Sequence, residues 1–302
     1  MSNAKTVMYL HALTGMHPGT GTALGTVDLP VSREKYSRWP NIPGSSLKGV
    51  LRDAFRNTVE KSLKDADESA EVVAIFGPPP KSSELHSGAL SVTDARILAF
   101  PVRSLKGVFA WVTCPAALQR YKRDMGLCDV DPEWKIPTVE EGNALVDGDS
   151  PLIVAEKHLV LEEFEFSIRK AEPEIAGWIA ENAIDDEATA DRFKTHLVIL
   201  NDDAFDHFVR YGTEVVARIG LDYERKTVRE GALFYQEFLP SETLFYSLVL
   251  AADSRSENEL SANDIIGKLW KLPGIIQVGG DETIGKGICA VKFSRNGGGE
   301  EF

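Results

Sequence analysis

Serine, lysine and arginine side chains occur together at helical spacing in one short stretch of the sequence. Ser45 and Ser46 are good helix N-caps, and Lys48 falls within the same turn. Backbone N–H groups at a helix start are unpaired and carry the positive end of the helix dipole, so they attract anions. The pattern predicts a phosphate-binding helix start, with Arg52 and Arg56 along one side of the helix as contacts for a second phosphate. An ordinary capped helix with solvated basic side chains is the alternative that this pattern leaves open.

Basic and aromatic side chains are mixed just before this helix. The mixture consists of Arg33, Lys35, Tyr36, Arg38 and Trp39. It suits single-stranded nucleic acid, because cations bind the phosphates while aromatic rings stack on the bases. The sequence therefore predicts a nucleic-acid-binding surface near its N-terminal end.

The charge of the chain is unevenly distributed. The 302 residues carry a formal net charge of −13, which by itself argues against nucleic acid. Residues 1–56, however, hold seven basic and three acidic side chains, whereas residues 124–206 hold 22 acidic and six basic ones. We therefore expect nucleic acid near the basic segment and away from the acidic region, whose composition is otherwise typical of a solvated surface.

Two glycine-rich segments come close to nucleotide-binding motifs and then depart from them. Gly280–Gly287 matches G-x-x-x-x-G-K, but glycine stands where a P-loop needs serine or threonine to hold Mg²⁺, and a β-like segment follows. Gly19–Gly25 resembles a dinucleotide fingerprint, but an extended segment that ends at Pro30 replaces the required helix. Metal-ligand spacings and nucleophile-elbow motifs are also missing from the sequence. These observations argue against nucleotide hydrolysis, dinucleotide binding and acyl transfer.

Hydrophobic periodicity predicts interleaved strands and helices, and hence a compact α+β or α/β fold. Strands are predicted at Thr6–Thr14, Gly107–Thr113 and Ile288–Phe293, and a helix at Pro115–Met125. No segment approaches the ~18 apolar residues of a membrane span. Three widely separated cysteines favour a reducing compartment over a disulfide framework.

Three further segments carry more ambiguous patterns. Glu172–Asp191 is predicted to be helical. A helix is also predicted over about 202–219, with Val215 and Val216 facing inward. Tyr223–Gly231 is polar and basic, which predicts a hairpin or an extended loop.

Nine short motifs occur in a fixed order along most of the chain. They are His17–Gly21, Val27–Glu34, Ile42–Arg52, Ile75–Gly77, Gly88–Arg96, Phe100–Ser104, Gly107–Trp111, Gly231–Tyr235 and Gly279–Gly287. Together they resemble the RAMP proteins of CRISPR systems, and most closely the repeated backbone subunit of the type III-B (Cmr) RNA-guided effector complex. The resemblance is weakest over residues 124–195. The last motif resembles the glycine-rich loop of RAMP proteins, which explains its near match to a P-loop.

The resemblance implies a ferredoxin-like (RRM-like) α+β palm with helical insertions and a β-hairpin thumb. Residues 1–302 are expected to form a single RAMP domain, with the acidic region at about 124–206 as an insertion and the thumb at about 220–235. In this family, several copies stack head-to-tail along a guide RNA and cleave the paired target RNA at regular spacing. The implied partners are therefore guide RNA, target RNA, further copies of this chain and other Cmr subunits, in the cytoplasm and without a membrane.

The resemblance also implies individual functional residues. Asp28, on the loop between Gly25 and Pro30, matches the cleavage aspartate of the family. It is expected to align the 2′-OH of RNA for attack on the adjacent phosphate, with a divalent cation, Mg²⁺, as cofactor. The other residues expected to line this site are His17, Glu230 and Tyr235. The residues expected to bind RNA are Ser45, Ser46, Lys48, Arg52, Arg56, Arg225, Lys226, Gly279, Gly280 and Lys286.

Two alternatives stay open from the sequence. The first is a non-catalytic scaffold that only coats the guide RNA. The second is a standalone guide-RNA-processing nuclease, as in another branch of the superfamily. Processing enzymes usually rely on a histidine-centred acid–base site, whereas the loop aspartate is the better-supported group in this chain.

Overall fold

The structure is a computed structural model that describes residues 4–22, 25–59, 62–79, 86–171, 173–222, 224–225, 227–256 and 259–294. Its strands are β1 (Ala4–Ala12), β2 (Asn41–Ile42), β3 (Leu90–Val92), β4 (Ala95–Arg103), β5 (Phe109–Thr113), β6 (Asn143–Val146), β7 (His158–Leu161), β8 (Phe164–Lys170), β9 (Leu197–Leu200), β10 (Glu214–Leu221), β11 (Val228–Phe238), β12 (Leu244–Ala251), β13 (Ile275–Gln277) and β14 (Ile288–Phe293). Its helices are α1 (Gly44–Arg56), α2 (Leu63–Asp67), α3 (Ala70–Phe76), α4 (Pro115–Gly126), α5 (Pro173–Ala183), α6 (Glu187–His196), α7 (Asp202–Tyr211) and α8 (Ala262–Leu269).

Four antiparallel strands in the order β14–β1–β12–β4 form the centre of the sheet. In the chain, α1 and α3 lie between β1 and β4, and α8 lies between β12 and β14. This order of strands and helices is the split βαβ arrangement of ferredoxin-like folds. The prediction of an α+β fold with a ferredoxin-like palm is therefore confirmed.

β1 is buried on both faces, which explains why its sequence is almost continuously apolar. Successive side chains of a strand point to opposite faces of the sheet. Met8 and Leu10 therefore join the hydrophobic core that includes side chains of α1, α3 and α8. Val7 and Tyr9 join a second core that includes side chains of α4, α5 and α6. The sheet thus separates two layers of helices.

The acidic region at 124–206 continues the central sheet. β5 pairs with β4, and β9, β6, β8 and β7 follow in that order toward the far edge. Ile179 of α5 and Phe193 of α6 are fully buried in the second core. The region therefore extends the sheet of the palm with strands of its own.

The segment predicted as one helix over 172–191 contains two helices, α5 and α6. Asp186 begins the second helix, because its carboxylate accepts a hydrogen bond from the backbone N–H of Thr189 (2.8 Å). None of the eight described helices combines the length and the hydropathy of a membrane span.

The helix predicted over 202–219 is wrong in its second half. α7 ends before Gly212, where a Cβ atom would lie only 2.7 Å from the carbonyl oxygen of Phe208. The following segment is strand β10, since β-branched residues such as Val215 and Val216 favour strands over helices. Both valines are exposed, at 51% and 40%, instead of facing the core.

β10 and β11 form a two-stranded hairpin sheet of their own. At its tip, Asp222 accepts hydrogen bonds from the backbone N–H groups of Glu224 (3.1 Å) and Arg225 (2.8 Å). This hairpin corresponds to the predicted thumb, but it is longer than 220–235, because its strands begin at Glu214 and end at Phe238.

Candidate functional site

Asp28 lies on a segment that runs beside β11 like a short third strand. Its carboxylate oxygen Oδ2 accepts a hydrogen bond from the backbone N–H of Tyr235 (2.7 Å). The neighbouring Leu29 donates its N–H to the carbonyl of Tyr235 (3.0 Å) and accepts the N–H of Glu237 (2.9 Å). These bonds fix the carboxylate near the base of the hairpin. The side chain there is partly exposed, as predicted for a loop carboxylate.

The carboxylate of Glu237 holds the rest of this segment. Oε2 accepts the backbone N–H of Val31 (2.9 Å), while Oε1 accepts hydrogen bonds from Arg33 (2.6 Å) and from the hydroxyl of Thr213 (2.7 Å). The Glu237 side chain is only 9% exposed. Charge-assisted hydrogen bonds in a buried setting are strong. Glu237 therefore joins the Asp28 segment, the start of the hairpin and β11 into one rigid unit.

His17 packs against the end of β11. Its Nδ1 lies 2.7 Å from the carbonyl oxygen of Glu237, and a carbonyl only accepts, so Nδ1 carries the proton. The ring centroid lies 5.7 Å from that of Phe238. His17 is only 7% exposed, so its position suits a residue that shapes the surrounding loops. The structure thus brings His17 to the same strand that holds Asp28, and its predicted role in lining the cleavage site stays a prediction.

The glycine-rich loop packs directly on the His17 backbone. The N–H of Gly280 donates to the carbonyl of His17 (3.0 Å). Gly279 has a φ of +90°, and a Cβ atom there would lie 2.4 Å from that carbonyl oxygen, so only glycine fits. Nζ of Lys286 lies 4.9 Å from the centroid of the Phe238 ring. Gly279, Gly280 and Lys286 therefore lie together beside the base of the hairpin, and RNA binding by these residues stays a prediction.

A charged cluster that the sequence did not indicate joins the hairpin to this loop. Nη1 of Arg218 lies 3.0 Å from Asp281 Oδ1 and 3.1 Å from Gln236 Oε1. The amide of Gln236 also donates to Asp281 Oδ2 (2.6 Å). In the sequence, Arg218 is a single arginine among the apolar residues of β10. Its role becomes clear only from its contact with Asp281, 63 residues away in the chain. The cluster fixes the hairpin against the glycine-rich loop.

The start of α1 differs from the predicted phosphate site. Pro43 is the N-cap, and no side chain caps the helix from that position. The backbone N–H of Gly44 instead donates to the carboxylate of Asp94 (2.7 Å). An aspartate already occupies the positive end of the helix dipole, where a phosphate was expected. Ser45 and Ser46 are exposed in the first turn, and phosphate binding by these two residues stays a prediction.

Each of the three cations along α1 forms bonds within the chain, and phosphate binding by these residues stays a prediction. Nζ of Lys48 donates to the carbonyl of Leu90 (2.8 Å), and burial lowers the pKa of this lysine. Arg52 pairs with Asp67 (2.8 Å) and donates to a backbone carbonyl in the turn after α3. Arg56 pairs with Asp53 and lies 3.9 Å from Asp67. These side chains hold α2 and α3 against α1.

Removal of two of these cations is expected to destabilise the fold. Lys48→Ala combined with Arg52→Ala should lower the free energy of unfolding by about 2 kcal/mol, because partly buried acceptors lose charged donors. Urea denaturation measures this difference. Arg103→Ala is the matched control, since its ion pair with Glu162 is exposed and worth about 0.5 kcal/mol or less. Unchanged stability together with weaker, less salt-dependent guide-RNA binding would instead show that these cations bind RNA phosphates.

The hairpin residues named from the sequence lie at different distances from Asp28. Tyr235 is directly adjacent through its backbone, and its side chain is 40% exposed. Glu230 lies five residues earlier in β11, and its side chain falls outside the described part of the structure. Arg225 is exposed at the hairpin tip, and Lys226 lies outside the described residues. Of those residues here whose side chains the structure describes, only Tyr235 contacts Asp28.

Asp28 provides one carboxylate that could bind a divalent cation at this site. Among the described residues, no three His, Cys, Asp or Glu side chains form a group that could hold a metal ion. Mg²⁺ is often bound through one or two carboxylates together with substrate phosphates and water. The donor set around Asp28 fits a cation of this kind, shared with bound RNA, and does not fit a closed protein cage.

The palm, the glycine-rich loop and the hairpin together define a RAMP protein. The chain belongs to the RAMP superfamily, whose family model matches residues 9–290. Within it, the chain is 40% identical over 297 residues to CRISPR system Cmr endoribonuclease Cmr4 of Pyrococcus furiosus, with 96% of each chain covered. It is 25% identical over 313 residues to CRISPR system CMR subunit Cmr4 of Saccharolobus solfataricus, covering 94% of this chain and 95% of that relative. The resemblance to Cmr backbone proteins is confirmed.

Solved structures agree with this assignment. The crystal structure of oligomeric Cmr4 from Pyrococcus furiosus superposes with a TM-score of 0.72 at 34% identity, covering 96% of this chain and 98% of that chain. A type III-B Cmr-beta structure bound to cognate target RNA has a chain that superposes with a TM-score of 0.73 at 20% identity, covering 97% and 98% of the two chains. The second likeness shows the shared fold.

Proposed function

We propose that this chain is a backbone subunit of a type III-B CRISPR effector complex that binds guide RNA and cleaves complementary target RNA at regular spacing. The observation that carries the proposal is the partly exposed Asp28 carboxylate, held on the N–H of Tyr235 at 2.7 Å. It occurs in a chain that is 40% identical, over 96% of its length, to a protein named as an endoribonuclease. A carboxylate fixed on the strand that also contacts the glycine-rich loop is suited to cleavage of bound RNA.

The chemistry rests on positioning. RNA carries its own nucleophile, the 2′-OH, so the protein must align this hydroxyl with the adjacent phosphate and help to remove its proton. The hydrogen bond from Tyr235 fixes the orientation of the Asp28 carboxylate for this task. Gly279, Gly280 and Lys286 form a surface that binds the RNA close to the Asp28 carboxylate. His17 shapes that surface from below through its backbone carbonyl.

Asp28 is also proposed to supply the protein ligand of a divalent cation, Mg²⁺, whose other ligands come from RNA and water. When bound, the cation balances the negative charge that develops on the phosphate. Chelation with EDTA is expected to stop cleavage and to leave the thermal unfolding of the RNA-free chain unchanged, because no closed metal cage exists among the described residues. Single-turnover assays and calorimetry measure the two effects. Cleavage that persists at full rate in EDTA would contradict the metal proposal.

The partners follow from the same assignment. Guide RNA, further copies of this chain stacked head-to-tail and other Cmr subunits are proposed to assemble around the palm. A head-to-tail contact is heterologous, so it generates an open helical array. A cytoplasmic location is supported by the free, buried cysteines Cys114 and Cys289. Burial raises the pKa of Cys128 to about 11 and that of Cys289 to about 12, so these two remain thiols at neutral pH.

One experiment separates this function from the two alternatives. A complex reconstituted with guide RNA is incubated with complementary target RNA, and the isolated chain is incubated with repeat-containing precursor RNA. Mg²⁺-dependent cuts at regular spacing in the target RNA support the proposal. A complete complex that binds the target without cutting it would favour the scaffold. Cuts in the precursor by the isolated chain would favour a guide-processing nuclease.

A further inference from the structure

Two of the most exposed aromatic side chains lie outside the cleavage site. Tyr36 is 77% exposed on the loop between Arg33 and Trp39, and Tyr211 is 71% exposed at the end of α7. The two segments are bonded to each other, since Arg210 donates to the carbonyl of Ser37 (3.0 Å). The hydrogen bond thus joins the immediate neighbours of the two tyrosines. Both rings are presented to solvent from one junction.

Several hydrogen bonds and a ring contact hold this exposed loop in place. Nη1 of Arg33 donates to the carbonyls of Arg38 (2.9 Å) and Val209 (3.0 Å). The indole N–H of Trp39 donates to Asp206 (2.9 Å), and its ring packs edge-on against Phe205. In the sequence, Arg33 and Trp39 belong to the basic and aromatic mixture that suits nucleic acid, but in the structure both side chains face inward and support the loop. A rigid loop pays little conformational entropy when its exposed ring binds a ligand.

The loop that carries Tyr36 presents positive charge to solvent. Lys35 and Arg38 are exposed on the same loop as Tyr36. The nearby carboxylate of Glu34 faces inward and pairs with Arg120, with a side chain only 11% exposed. Asp206 is likewise bound by Trp39 and Arg210. Cations beside exposed rings suit single-stranded RNA, because the cations bind phosphates and the rings stack on unpaired bases.

We propose that Tyr36 and Tyr211, flanked by Lys35 and Arg38, form a stacking platform for single-stranded RNA, separate from the cleavage site. The rings stack on bases and the cations contact phosphates, so the platform tolerates any base sequence. The proposal rests on the RNA-binding function proposed above and adds a subsite to it. Arg33 links the two places, because it bonds both to Glu237 beside the Asp28 segment and to the carbonyl of Arg38. A strand that leaves the cleavage site can therefore continue onto the platform.

The test uses the reconstituted complex with wild-type chain or with variants of it. Target-RNA affinity is measured by fluorescence anisotropy, and 4-thiouridine in the RNA reports contacts through cross-linked peptides. Tyr36→Ala combined with Tyr211→Ala is expected to weaken target-RNA binding about tenfold or more, with cross-links to these peptides in the wild type. Tyr36→Phe combined with Tyr211→Phe should retain affinity, because the rings remain. Leu105→Ala with Val108→Ala is the matched control, since both residues are highly exposed on another turn.

Three outcomes overturn the platform. In the first, the double alanine variant binds target RNA with unchanged affinity and neither tyrosine forms cross-links, which contradicts the platform. Continued target cleavage in that case still supports the proposed function. Failure of that variant to join a complex that wild-type chain enters identifies the tyrosines as a protein interface. A wild-type complex that neither binds nor cuts RNA overturns the proposed function and the platform together.

Discussion

Asp28→Asn is expected to lower the rate of target-RNA cleavage by about 10³-fold while guide binding and assembly persist. Asparagine has nearly the same shape, and its side-chain oxygen can still accept the N–H of Tyr235. It cannot take a proton from the 2′-OH, and it is a much weaker ligand for a cation. The measurement is single-turnover cleavage by the reconstituted complex, with target-RNA affinity measured in parallel.

Asp222→Asn is the matched control for this substitution. Asp222 is also a loop aspartate whose carboxylate accepts backbone N–H groups, but it lies at the hairpin tip. Its replacement is expected to leave the cleavage rate within about twofold of the wild type, as for a surface change away from the chemistry. Equal cleavage by the wild type and the Asp28→Asn complex would remove Asp28 from the site.

Glu237→Ala is expected to have the second largest effect. The substitution leaves the N–H of Val31 and the guanidinium of Arg33 without their acceptor in a buried position. Loss of one partner of a buried ion pair costs about 3 kcal/mol, so the free energy of unfolding should fall by about that amount. The Asp28 segment keeps its bonds to the backbone of β11 but loses the side-chain contacts that hold Val31 and Arg33, so cleavage should slow by about 10²-fold.

Glu237 acts by positioning, which separate measurements can distinguish from a general loss of fold. At a temperature where the variant is folded, the cleavage rate at saturating target RNA should fall while the dissociation constant of the target stays unchanged. Glu237→Gln keeps one acceptor oxygen and is expected to recover part of the rate. A loss of target affinity equal to the loss of rate would contradict a positioning role.

Local sequence signals predicted the elements whose stability is decided locally. The β-like run Ile288–Phe293 predicted β14 with its observed bounds, and the helix predicted at Pro115–Met125 is α4, which ends one residue later. The prediction wrongly extended α7 over residues that form the first strand of the hairpin, β10. Val215 and Val216 have helical spacing with the apolar residues of α7, but β-branching and Gly212 favour the strand.

The contacts of the predicted phosphate-binding residues could not be foreseen for a different physical reason. The α1 start carries the expected hydroxyls and cations, yet the carboxylate of Asp94, 50 residues away in the sequence, accepts the N–H of Gly44 at the helix N-terminus. Arg52 likewise finds Asp67 through the packing of α2 on α1. Long-range partners of this kind leave no periodic trace in a sequence. Asp28 was identified through its motif, whereas Glu237, which holds the segment, became recognisable only from its contacts.

The most direct measurement of the central claim uses a target RNA with a single 2′-deoxy nucleotide at one of the cleavage positions. If Asp28 aligns the 2′-OH as nucleophile, the wild-type complex should lose the cut at that position alone and continue to cut at the others. The products of the remaining cuts should carry 5′-hydroxyl ends. Cleavage at the 2′-deoxy position at an unchanged rate would contradict the account.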